Sequence, residues 1–187
     1  RGQDPTRPSY KIVAEVTGTD EAKWREGELS AYKGAHLVAG RTLELDSGFA
    51  EITYLNGTQL ILKGPTTFTV TGNNAGHLVV GQVVATVAEE AHGFVIDTEN
   101  IHVVDLGTEF GLSVDETGGG EVVTFEGAVN VFAANSGEDP PVILSAGEYL
   151  QFDAAGKVQG TVSPTPERVK AKLARKVPGV DGLDDDA

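Results

Sequence analysis

The stretch Ile101–Phe132, IHVVDLGTEFGLSVDETGGGEVVTFEGAVNVF, decides how this chain folds, because it joins three strand-like runs through two glycine breaks and one glycine turn. Ile101, Val103 and Leu106 precede Gly107-Thr108, and the apolar pattern resumes at Phe110, Leu112 and Val114, as a sheet with one buried face requires. Gly107 is where the strand is expected to bend. Gly118-Gly119-Gly120 permits the positive φ of a tight reversal, after which Glu121–Phe125 is expected to return antiparallel. A second break at Glu126-Gly127 leads into Ala128–Phe132. Asp105, just before the bend, is expected to accept hydrogen bonds from backbone N–H groups there.

Outward from this centre, residues 37–131 form a quasi-repeat of short apolar runs separated by glycine turns, with a beat of ~8 to 12 residues. Asn56-Gly57 reads as a type I′ hairpin turn, Asn73-Asn74-Ala75-Gly76 as another turn, and Gly64-Pro65 as a strand end, since proline lacks the N–H a ladder needs. Tyr10, Ile12, Ala14 and Val16 alternate as one face of a first strand. Trp24, the single tryptophan, reads as a core plug closing one end of the sheet.

Helical periodicity is confined to residues 163–177, where Ser163 can cap, Pro164 fits the first turn, and Val169, Leu173 and Val177 recur every four residues. Arg168, Lys170, Lys172, Arg175 and Lys176 gather along it, and Asp184-Asp185-Asp186 follows as a solvated tail. The organisation expected is a lead-in at 1–9, a β domain at 10–160, and a helix with acidic linker at 161–187. The fold expected is all-β: a twisted solenoid-like or double-layered stack of short antiparallel strands with a short C-terminal helix. Its core candidates are Ile52, Tyr54, Leu60, Leu62, Phe68, Val70, Val83, Val95, Val103, Phe110, Val123, Phe125, Val131 and Leu150.

Composition narrows function. A length of 187 residues suits one domain, and 14 Lys+Arg against 28 Asp+Glu give a net charge of −14, which repels nucleic acid phosphates and anionic lipid. Without cysteine there is no disulfide framework, thiolate metal site or Cys nucleophile. Methionine is absent too, so the chain reads as a fragment or processed product. No apolar run approaches the ~20 residues that cross a bilayer, and no signal-peptide pattern is present.

Candidate chemistry is sparse. His36, His77, His92 and His102 lack the close His-x-His pairing of a cupin-like metal site; the nearest metal-like span runs from His102 to Glu109, and His102 and Asp105 fall on opposite faces of a regular strand. Asp97, Glu99, Asp105, Glu109 and Asp115 crowd one stretch and raise the question of a paired-carboxylate glycosidase, but an acidic protein clusters carboxylates by chance. No serine lies in a G-x-S-x-G elbow, and the triple glycine lacks the Lys-Ser/Thr of a phosphate loop. The expectation is therefore no enzyme, no catalytic residue, no cofactor and no metal.

The series DLGTEFGLSVD (105–115), EVVTFEGAVNVF (121–132) and LSAGEYLQF (144–152) resembles the periplasmic domain of FecR-family anti-sigma regulators. The upstream stretch GRTLELDSGFAEITYLNGTQLILKGPTTFTV (40–70) is similar to the same family in a form common in planctomycete-type bacteria. The resemblance spans about residues 37–158 and rests most on GT-x-F followed by EG-x-V. It marks Asp105, Gly107, Thr108, Phe110, Gly127 and Gly147 as structural motif positions. It further implies a periplasmic sensor, tethered to the inner membrane through an upstream helix, that governs an ECF-type sigma factor. The implied partner is another protein: a receptor signalling domain or an adjoining domain of the same chain. An alternative expectation is a binding module of a secreted or surface protein, followed by a carbohydrate-recognising lectin-like domain.

Overall fold

A computed structural model of the chain describes residues 10–26 and 31–167. The lead-in at 1–9, residues 27–30, the segment expected to be helical from Arg168 onward and the acidic tail lie outside them. Thirteen strands are found among the described residues: β1 (Ile12–Trp24), β2 (His36–Val38), β3 (Arg41–Tyr54), β4 (Gln59–Gly72), β5 (Ala75–Thr86), β6 (Val95–Asp97), β7 (Ile101–Asp105), β8 (Glu109–Val114), β9 (Gly120–Glu126), β10 (Ala128–Ala133), β11 (Val142–Ser145), β12 (Glu148–Phe152) and β13 (Val158–Pro164). Ser163 and Pro164, expected to open a helix, instead close β13, carried into the ladder opposite Tyr149 and Glu148.

All strands belong to one open sheet, antiparallel in every pairing except β5 with β6. It is all-β but not a solenoid. Tight hairpin turns force antiparallel neighbours, and several runs that look separate in sequence are halves of one long strand, as RTLELDSG and FAEITY are in β3. Gly64-Pro65 likewise interrupts β4 without ending it: the bond is cis, and the register with β3 and β5 shifts around it. The Asn56-Gly57 hairpin forms, but only Gly57 has positive φ, so it is a type I turn with a left-handed glycine rather than type I′. Asn56 is used differently, accepting the Thr58 N–H at 3.0 Å and donating to Asn74 Oδ1 at 2.7 Å in the neighbouring turn.

Two creases fold this sheet over its core. The first runs through Glu21, Ser47-Gly48, Gly64-Pro65 and Gly81, where register shifts line up across β1, β3, β4 and β5. The strands pass so closely that a Cβ on Gly81 (φ +114°) would meet Thr66 Oγ1 at 2.1 Å and the Pro65 carbonyl at 2.6 Å. The Thr66 hydroxyl accepts the Gln82 N–H at 3.0 Å and donates to the Lys63 carbonyl, serving backbone groups that the bulge displaces from the ladder. The second crease runs through Gly107, Gly127 and Gly147, spaced 20 residues apart. There the chain passes from β7 to β8, from β9 to β10 and from β11 to β12, so β5–β6–β7–β10–β11 forms one half of the sheet and β5–β8–β9–β12–β13 the other.

Both halves feed one apolar core, with Leu43, Ile52, Leu60, Leu62, Phe68, Leu78, Phe94, Phe110 and Leu112 fully buried. Burying each such side chain stabilises the fold by roughly 1.5–3 kcal/mol. Tyr54 meets Phe94 edge-on at 4.9 Å and donates its hydroxyl to the Ala75 carbonyl at 3.0 Å; burial holds its phenol well above the ordinary range. Three core candidates fall elsewhere. Val95 is half-buried while its neighbour Ile96 points inward, and Val123, though buried, and Phe125 join Val84 and Tyr149 in a separate apolar cluster on the outward face. Leu106 is 47% exposed, because the inward parity of Ile101 and Val103 continues to Asp105. Tyr10 and Ile12 are exposed at the start of β1, while Ala14 and Val16 are buried, and Trp24 packs half-buried against the core.

Candidate interaction face

The residues of the sequence motif gather at the second crease. Asp105 is 1% exposed; its carboxylate accepts the Gly107 N–H at 2.9 Å and the Thr108 hydroxyl. Gly127 lies across from Gly107, with Leu106 N–H donating to the Ala128 carbonyl at 3.1 Å and Ala146 N–H to the Gly127 carbonyl at 2.9 Å. Gly147 N–H donates to the Thr124 carbonyl at 2.8 Å, and Phe110 is fully buried in the core. Asp105, Gly107, Thr108, Gly127 and Gly147 thus lie at the crease, and Phe110 lies in the core.

Burial raises the Asp105 carboxyl above its usual range, outweighing the lowering effects of the Gly107 N–H and of His92. With the folded-state pKa above the unfolded value of 3.8, the neutral acid favours the fold; that contribution is complete below the unfolded pKa and is lost as pH rises through the folded one. The melting temperature of Asp105→Asn, relative to the parent, is therefore expected to rise with pH in melts from roughly pH 3 to 7. Parallel curves would refute this.

The sequence-stretch carboxylates do not converge on a cleft. Asp97 sits on β6 within 2.5 Å of His102 Nδ1 on β7, Glu99 is exposed in the following turn, Asp105 is buried at the crease, Glu109 opens β8 and Asp115 closes the β8–β9 turn. His36 lies 3.9 Å from Glu15, His77 stands on β5, and His92 packs over Gly107. Among the described residues no three His, Asp or Glu side chains are grouped to hold a metal ion.

A larger surface comes from register rather than from motifs. On the outward face of the β4–β5–β8–β9–β12–β13 half, Lys63, Gln82, Ser113, Glu121, Gln151 and Gln159 stand opposite one another strand by strand. They line a trough of about 790 Å³, rimmed by Asp115, Glu116, Thr117 and Asp153. Its floor is rigid: Ser113 and Glu121 are 3% and 8% exposed, and Gln151 Nε2 donates to Glu121 Oε1 at 2.8 Å. Lys63 is drawn towards the Phe49 ring, 5.9 Å from its centroid. Asp153 is held below the usual carboxylate range by the N–H groups of Ala155 and Lys157, which favours its ionised form. Four carboxylates against one ammonium make the trough electronegative.

Two residues along each strand runs a second row, Ile61, Val84, Gly111, Val123 and Tyr149, and beyond it a third of Gln59, Thr86, Glu109 and Glu126. None of these rows was predicted. Their signal is the polar member of each alternation, such as Gln82 within VVGQVVATV, which acquires a position only once the register is known.

Residues 42–130, just under half of the chain, match the family described as FecR protein. That segment of the chain is similar to the FecR family. It runs from β3 into β10 and takes in the β3, β4 and β5 part of the first crease and the Gly107 and Gly127 bends of the second. No curated protein matches the chain. Two crystal structures of a protein from Parabacteroides distasonis ATCC 8503, provisionally described as an anti-sigma factor and solved at 1.65 and 2.50 Å, resemble it with a TM-score of 0.56 at 16% identity. The likeness covers 66% of this chain and 59% of theirs, and at that identity it is a likeness of fold. Among the described residues no helix is long and apolar enough to cross a membrane.

Proposed function

We propose that this FecR-like domain is the periplasmic sensor part of a membrane-anchored anti-sigma regulator and that it binds another protein, not a substrate to be turned over. The observation that carries this reading is the trough: six hydrogen-bonding side chains in cross-strand register on a stiff sheet, bordered by β13, which pairs with β12 alone among the described strands. An extended segment added along β13 gains ladder hydrogen bonds while its side chains reach the trough, and excess negative charge favours a segment carrying Lys or Arg. The FecR match and the anti-sigma description of the Parabacteroides protein support a regulatory role.

The test places Glu116→Lys and Gln159→Lys, both exposed trough residues, in the full-length protein. Partner affinity is expected to fall about tenfold, or ~1.4 kcal/mol, with melting unchanged, and signal-dependent transcription from the sigma factor's promoters should fall with it. Unaltered transcription and partner capture would overturn the reading.

A further inference from the structure

The apolar row beside the trough is more enclosed than an outward sheet face should be. Ile61, Val84 and Val123 are 7%, 7% and 0% exposed, although their strand neighbours Leu60, Leu62, Val83, Ala85 and Val122 fill the core on the opposite side. Gly111, between Val84 and Val123, offers no side chain and is itself buried.

The geometry points to one occupant: the chain's own residues 168–177, RVKAKLARKV, laid across this row. Three observations select that segment. The chain leaves β13 beside the row, since Ser163 stands opposite Tyr149, and Thr165 is fixed to the Gly147 carbonyl through both its N–H (2.8 Å) and its hydroxyl (3.0 Å). The segment therefore begins three residues from a fixed point at one end of the row. Its length fits: five strands from β12 to β4, spaced ~4.8 Å apart, span about 19 Å, and ten residues in helical form span about 15 Å. Its chemistry fits on two counts. Val169, Leu173 and Val177 make an apolar stripe for Val84 and Val123, while Arg168, Lys170, Lys172, Arg175 and Lys176 fall between flanking rows that carry Glu109 and Glu126 on one side and Glu121 on the other. Occupied in this way, the face ties whatever follows residue 177 to the wall of the trough. This docking stands independently of the partner proposed above.

The absence of cysteine gives a clean test in the full chain. Ile61→Cys at the far end of the row is paired with Leu173→Cys or Val177→Cys, and the control pairs Ile143→Cys, on β11 in the other half, with the same positions. Under mild oxidation the row pair should close within one molecule at least about tenfold faster than the control, since a docked segment raises the effective concentration of the two thiols. In parallel, Val169→Ser with Leu173→Ser should raise fluorescence of an apolar-surface dye severalfold while the melting transition stays cooperative. Equal closure rates for the two pairs, or closure only between molecules as in an exchange with a second copy, would overturn the proposal. An unchanged dye signal would do the same.

Discussion

Gly127→Val should unfold this domain at a temperature roughly 8 to 16 °C below the parent, equivalent to a loss of about 4 kcal/mol. Gly127 has φ +73°, which costs a β-branched residue on the order of 1–3 kcal/mol, and a Cβ there would lie 2.1 Å from the Gly107 carbonyl oxygen, an atom fixed in the crease. The other two crease glycines calibrate the effect. Gly147 has φ +81° but open space around its missing Cβ, so Gly147→Val should show the backbone strain alone. Gly107, at φ +98°, would press its Cβ against His92 Cε1 at 2.7 Å, but that side chain is exposed and can swing away, so Gly107→Val should cost roughly 1 to 3 kcal/mol. Thermal melts of the three variants should rank Gly127 as the most damaging. Equal losses would mean that close approach of the crossing strands contributes nothing.

The second large effect is expected where Phe68 lies over Gly76. A Cβ on Gly76 would sit 2.1 Å from Phe68 Cζ and 2.9 Å from Cε1 and Cε2, so the ring occupies the space that any other residue at 76 would fill. Phe68→Ala should cost roughly 3–5 kcal/mol through lost burial and an unfilled cavity. Gly76→Ala should cost about 3 kcal/mol by overpacking a fully buried ring. Combined with Phe68→Leu, which shortens the group at the clash, Gly76→Ala should become markedly less harmful, giving a coupling of roughly 1–3 kcal/mol in a denaturant double-mutant cycle. Additive losses would sink this account of the pair.

What could be read from sequence was the alternation and the turns, because period-two patterning and glycine punctuation are local. Leu60, Leu62, Phe68, Val70, Val103 and Phe110 were legible as core for that reason, and all are buried. What failed was continuity across a bend. Gly64-Pro65 looks like an end because proline removes a ladder donor, yet the Thr66 hydroxyl accepts the neighbouring N–H of Gln82 and β4 continues. The apolar pattern assigns Leu106 to the buried face, whereas strand parity turns it out; Asp105 accepts the Gly107 N–H at the bend as expected, but from a buried position. The interaction face was illegible for a stronger reason: Lys63, Gln82, Ser113, Glu121, Gln151 and Gln159 span almost a hundred positions of sequence and meet only through five separate registers. No local pattern encodes such a row.

The place of β13 in the sheet has a mechanical consequence. Its ladder to β12 is antiparallel and its other side is unpaired among the described strands, so a pull arriving from the C-terminal side loads the Pro164–Glu148 end first. Such a ladder opens like a zipper, one rung at a time, at far lower force than strands sheared along their length. The crease behind it offers no such end strand, since the chain passes from one half of the sheet to the other three times there, at Gly107, Gly127 and Gly147. Tension on the chain would thus strip β13, bare the edge of β12 and remove one wall of the trough while the rest of the domain stayed folded, making the last strand a sacrificial link between load and binding.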